Sequence, residues 1–277
     1  MKTLFNRLLL SVAVVLLALG TALAGPAPRL VSLSGTISEI VCALGKQSQL
    51  VGVDVTSTYP AALEKLPKVG HSRNISAEGV LALTPTLVVG TTESLKPEVA
   101  EQLRAAGVKV QLFKQEYSVA GTARLINEVA ATFGASAQAP AVIKQLNADL
   151  AKVKKPAAAP KVLFIYARGS GTMMVAGTGT QAAKIIELAG GKNAVTDFAD
   201  FKPLTAEALV AANPDMLLLF DSGLASLGGK AGLLQVPGIA QTTAGKTGRV
   251  IEMDGQLLTG FGPRLGQATA ELAGKLK

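Results

Sequence analysis

Tyr59, His71 and Arg73 fall within fifteen residues of one another in VGVDVTSTYPAALEKLPKVGHSRNISAEGV (51–80). The whole chain has three tyrosines, one histidine and no tryptophan, so chance abundance does not explain the grouping. A tyrosinate is a hard anionic ligand for ferric iron, including the iron of haem. A free phenol ionises only near pH ~10, so binding iron at neutral pH requires a stabilising neighbour. The Arg73 guanidinium could hold the phenolate, or pair with a carboxylate on the bound molecule. His71 could be a second ligand, a hydrogen-bond donor or part of a wall. An exposed tyrosine can equally be a plain amphipathic surface residue.

Other chemistries lack their residues. The chain contains no G-x-S-x-G, no Walker loop and no H-E-x-x-H. A metal cage of several histidines is excluded by the single histidine, and a catalytic triad would have no nucleophile signature beside His71. GTGT (177–180) and GFGPRLG (260–266) lack the spacing of a dinucleotide fingerprint and read as turns. These absences argue against an enzyme.

The elements that would position Tyr59 are readable. LVGVDV (50–55) reads as a strand, which puts Tyr59 just past its carboxyl end, with Pro60 at the start of a short helix. A weak repeat organises the rest. SAEGVLALTPTLVVG (76–90) aligns with TAEALVAANPDMLLL (205–219), and ISEIVCALG (37–45) with AAKIIELAG (182–190). The first pair predicts helices capped by Ser76 and Thr205, with Glu78 and Glu207 in the first turn where the helix dipole favours an acid. The second pair predicts helices closed by glycine, each following an apolar strand, RLVSLS (29–34) or KVLFIYA (161–167).

Two copies of β-α-β-α-β predict an α/β protein with two Rossmann-like lobes, each holding a mostly parallel sheet. Residues 122–133 and 141–155 show helical spacing, and PAAAP (156–160) ends the second stretch. The expected organisation is an N-terminal lobe over 25–138, a single long linking helix over 139–158 and a C-terminal lobe over 159–277. A ligand cleft would lie between the carboxyl ends of the two sets of strands.

The chain of 277 residues is basic, with 27 Lys and Arg against 19 Asp and Glu. It lacks dense basic runs and base-stacking aromatics, so nucleic acid is not an expected partner. Lys2 and Arg7, an apolar run and Ala22-x-Ala24 predict a secretory signal over 1–24, cleaved after Ala24. A lipoprotein would need a cysteine at that point, and none is there. Cys42 is the only cysteine; it cannot form an internal disulfide and reads as a small core residue.

The run GVDVTSTYP…LPKVG-x-x-R-x-I-SAEGVLAL-x-P resembles the periplasmic haem-binding proteins of bacterial haem ABC importers. These share a substrate-binding class, with a rigid helix between lobes, with cobalamin- and siderophore-binding proteins. The likeness extends through GLASLGG (223–229), LLQVPGIAQTTAGKTGRV (233–250) and GPRLG (262–266). It implies ferric haem as a transported ligand, Tyr59 as its iron ligand, and Arg73 and His71 as pocket residues. The second wall is expected from Tyr166, Arg168, Met173, Met174, Leu227 and Phe261, which lie near strand ends of the C-terminal lobe. The resemblance also implies periplasmic location and delivery to an inner-membrane ABC permease dimer with its ATPase, downstream of an outer-membrane haem receptor system. Glu78 and Glu207 would dock on that permease. The alternatives are the same fold holding a ferric siderophore or a corrinoid, and an exported haem enzyme.

Overall fold

The computed structural model describes residues 28–277. The expected signal and its cleavage after Ala24 lie outside the described residues.

Four short apolar strands form the first sheet: β1 (Leu30–Ser32), β2 (Leu50–Val53), β3 (Leu87–Thr91) and β4 (Lys109–Phe113). Their order is β2-β1-β3-β4 and every pairing is parallel. Val31 and Val88 pack on one face while Leu30 and Val89 pack on the other, all fully buried. A parallel sheet covered on both faces reads as such unbroken apolar runs. The strand predicted over 50–55 stops at Val53, because Asp54 turns inward as a hydrogen-bond acceptor for Thr56 and Ser57.

The second sheet contains β5 (Lys161–Ala167), β6 (Met173–Ala176), β7 (Lys192–Asn193), β8 (Phe201–Pro203), β9 (Met216–Phe220) and β10 (Val250–Met253). β10, β9 and β5 run parallel, β6 and β8 add on antiparallel, and β7 pairs with β5. The sequence repeat is therefore incomplete. A hairpin, β5 to β6, separates the KVLFIYA strand from the helix that the repeat placed directly after it. Gly169 at φ +67° supplies the left-handed turn residue that such a reversal needs.

The helix signals hold. Gly35–Ala43 and Gln181–Ala189 each end at a left-handed glycine, Gly45 and Gly190. Ser76 Oγ accepts from Gly79 N at 3.1 Å and Thr205 Oγ1 from Ala208 N at 3.2 Å, so both predicted caps form. Glu78 and Glu207 stand in the following first turns, exposed.

Between the sheets run Val119–Thr132 and Ala139–Leu150. The second helix stops at Leu150, short of 155, where the apolar spacing ends, and of the expected boundary at 158. Val153 is still packed on the core without being helical, so its spacing reported burial. Pro156 disfavours a helical Lys155 before it. The C-terminal helix Leu265–Lys275 returns to lie on Ala139–Leu150. At that crossing a Cβ on Gly266 would sit 2.7 Å from Leu146 O, so glycine permits the approach. One apolar cluster runs through Ile37, Ile126, Leu146, Ile185 and Leu272, joining both lobes and the linking helices. Each lobe has a further cluster of its own. A shared core of this kind resists the relative motion that polar inter-domain contacts allow.

Candidate functional site

A cleft of about 740 Å3 opens between the lobes, within the range of small-molecule sites. Its walls come from the carboxyl ends of the strands. β1 and β2 lead to Ser34, Thr56 and Thr58, while β5, β9 and β10 lead to Arg168, Asp221 and Gln256. This is the crevice where open α/β sheets bind ligands.

On the N-terminal wall, the loop after β2 is braced from within. Buried Asp54 accepts from Thr56 N at 3.0 Å, from Thr56 Oγ1, and from Ser57 Oγ at 2.6 Å. Ser57 Oγ also meets Ser38 Oγ at 2.7 Å, and Lys68 Nζ donates to Ser57 O at 2.8 Å. The backbone that carries Thr58 and Tyr59 is thus held against the first helix. Farther along, His71 lines the cleft, and its N–H donates to Asn74 Oδ1 at 2.8 Å. Ser72 Oγ lies 3.1 Å from His71 Nδ1. Burial, helped by the positive charges of Arg73 and Arg168, pushes the His71 pKa below the usual histidine value, with Asp54 opposing. A neutral imidazole has a lone pair to offer a metal.

The C-terminal wall is aromatic and cationic. Tyr166 and Phe220 line it with ring centroids 6.1 Å apart, edge to face, and Arg168 lies 5.9 Å from the Tyr166 ring. Ser222 and Ser226 add hydroxyls.

Across the cleft floor the lobes are tied by side chains far apart in sequence. Gln256 Oε1 accepts from Thr58 N, Thr58 Oγ1 and Tyr59 N, each at 2.8 Å. Thr36 Oγ1 and Gln115 Nε2 donate to Gly260 O at 2.6 and 2.7 Å. Arg264 Nη2 reaches Glu39 Oε2 at 2.9 Å, with the two side chains 15% and 7% exposed. Burial raises the Glu39 carboxyl above its ordinary value, and the Arg264 charge and hydrogen bonds pull against that rise. Cys42 sits nearby with its thiol pushed up to about 11, first by burial and then by the Glu39 charge. It is a neutral, packed thiol.

Tyr59 follows Thr58 but does not itself line the cleft. Its ring stacks beneath the Arg264 guanidinium, 3.6 Å from Cζ to centroid, and is 45% exposed. It borders a smaller hollow of about 330 Å3 with Cys42, Pro60, Val142 and Arg264, whereas its neighbour Thr58 faces the cleft. Stacking of guanidinium on phenol is worth about 0.5–2 kcal/mol and sets this resting orientation.

Of the residues expected from sequence, His71, Tyr166 and Arg168 meet in the cleft, and Arg73 is exposed beside His71. The rest of the expected second wall is corrected. Phe261 is 2% exposed and packs on Tyr117 at 5.5 Å, because the loop after Gly260 dips into the shared core. Met173 and Leu227 pack on the C-terminal lobe's own cluster, and Met174, next to Met173 on β6 between β5 and β8, does not line the cleft either. Phe220, Gln256 and Arg264 went unassigned. Phe220 ends the MLLLF strand and could have been found by the strand-end rule that selected Tyr166. Arg264 lies in the quoted GPRLG, but only the fold brings it over Tyr59. Gln256 carries no local signal.

Comparison with known proteins agrees with this geometry. A family model described as periplasmic binding protein matches residues 30–257. Among solved structures, the periplasmic haem-binding protein RhuT from Roseiflexus sp. RS-1, in apo form, is 41% identical, covers 91% of this chain and 98% of its own, and superposes with a TM-score of 0.87. The periplasmic haem-binding protein BhuT in complex with two haems is 38% identical with the same coverage and a TM-score of 0.84. An uncharacterized ABC transporter substrate-binding lipoprotein, YvrC of Bacillus subtilis (strain 168), is 29% identical over 252 residues, 88% of this chain and 78% of that one. With its two sheets, shared core and strand-end cleft, the chain belongs to the periplasmic binding protein family.

Proposed function

We propose that this protein is a periplasmic receptor that captures ferric haem in the inter-lobe cleft, with Tyr59 as iron ligand, and hands it to an ABC permease. One observation carries the reading. The cleft joins an aromatic wall, Tyr166 and Phe220 set edge to face, to the cationic Arg168 and the neutral His71, with Arg73 exposed beside His71 and Tyr59 next in the chain to the cleft-lining Thr58. An apolar planar macrocycle bearing carboxylates matches both parts. Support also comes from the relatives at 38–41% identity, whose names give haem binding. The family binds substrates and does not transform them.

To reach iron from its resting stack, the Tyr59 ring turns about its side-chain torsions, away from Arg264 and into the cleft beside Thr58. His71 faces the same space uncharged and can complete the coordination. Glu78 and Glu207, exposed at equivalent places in the two lobes, suit a two-fold permease carrying cationic side chains. Because the lobes share a core and several cross-lobe hydrogen bonds, release requires work from the permease.

The test is a haemin titration of the exported form followed by absorption spectroscopy, with Tyr59→Ala and His71→Ala in parallel. Saturable binding with a tyrosinate charge-transfer band is expected. Tyr59→Ala should lose the band and at least the 10- to 100-fold in affinity that removing even an outer-shell partner costs a metal site. A change of spectrum in His71→Ala would assign it as second ligand. Absence of saturable binding by the wild type would end the haem reading.

A further inference from the structure

We infer that Gln256 is the positioning residue for Tyr59, a C-terminal-lobe side chain that holds an N-terminal-lobe ligand in register with the cleft. The inference rests on the reading of Tyr59 as iron ligand. Gln256 is the second residue of the helix Gly255–Thr259, whose cap, Asp254 Oδ1, accepts from Leu257 N at 2.7 Å. Every hydrogen bond of its amide crosses to the other lobe. Oε1 takes both backbone N–H groups of Thr58 and Tyr59 and the Thr58 hydroxyl. Nε2 donates to Gly35 O at 2.9 Å and to Glu39 Oε2 at 3.3 Å. That same Glu39 oxygen holds Arg264, which lies over the Tyr59 ring. Gln256 therefore grips Tyr59 from two sides, through its main chain and through the pair that sets its ring.

Only an amide does both. A carboxylate at this position would keep the acceptor and lose the donors, and an ammonium would do the reverse. Gln256 also lines the cleft, so a ligand that widens the gap between the lobes pulls on Tyr59 directly. Tyr59 is thereby presented at a height set by the opposing lobe, which the braced loop after β2 could not specify alone.

The decisive variant is Gln256→Met, close in volume and unable to make any of these bonds. Haemin affinity should fall about tenfold, the lower end of what losing an outer-shell partner costs a metal site. The tyrosinate charge-transfer band should shift or weaken with it. Thr58→Val removes one of the three donors and should move both readouts in the same direction by less; it carries the test if Gln256→Met does not fold. Wild-type affinity and spectrum in the variants would overturn the inference. So would weaker binding with an unchanged band, which would mean that Gln256 only packs the lobes together. A wild type that binds haemin without a tyrosinate band would instead remove the reading of Tyr59 as iron ligand, and the inference with it.

Discussion

The two lobes share a pattern of caps and buried strands, yet they are built and used differently. The first sheet is wholly parallel, and its contribution to the cleft is a loop braced by Asp54, Ser57 and Lys68 from the same lobe. The second sheet carries an antiparallel edge, and its contribution includes the segment Asp254–Arg264, whose side chains and carbonyls bond mainly to the first lobe. One lobe thus holds its own site residues, while the other holds its partner's. The difference teaches where rigidity resides. The linking helix is shorter than expected, and the stiffness of the pair comes as much from the shared core and this reaching segment.

The comparison breaks most severely if the reaching segment loses its charge partner. Glu39→Ala leaves the Arg264 guanidinium unpaired in a mostly buried place, a change that costs about 3–5 kcal/mol in comparable pairs. Chemical denaturation of the ligand-free protein should show that loss, and a change under about 1 kcal/mol would mean that the lobes do not depend on the pair. The symmetry between lobes is probed more gently at the caps. Ser76→Ala and Thr205→Ala should each cost about 1 kcal/mol, measured the same way, since each removes one cap bond to its helix. Unequal losses would show that one lobe relies more on its tertiary packing. The smallest effect concerns His71. Its folded pKa lies below its unfolded one, so below pH ~6.5 the unfolded chain takes up a proton that the folded chain resists. Stability therefore falls as pH drops through that value and levels off beneath the folded pKa. Thermal melting at about pH 7.5 and about pH 5.5 should show a smaller difference for His71→Asn than for wild type.

Local patterns foretold much of this. Ser76 and Thr205 cap as expected because a hydroxyl three residues before an amide is a local matter, and Gly45 and Gly190 close helices for the same reason. Tyr166 and Arg168, picked out at strand ends, line the cleft, and the same rule would have found Phe220. It misplaced Phe261, Met173 and Leu227 because an apolar side chain near a strand end can turn to the core or to the cleft, and sequence does not say which.

What the amino-acid order determined by itself was the repeated parallel strands and short helices, their caps, the two-lobe plan and the cluster of chemistry at Tyr59, His71 and Arg73. These follow from hydrophobic periodicity and from bonds between near neighbours. Only the tertiary structure decided that Arg264 lies over Tyr59 and that Gln256, 197 residues away from it, binds its amide. Such contacts depend on how the shared core brings two separately formed surfaces together, and no spacing along the chain encodes them.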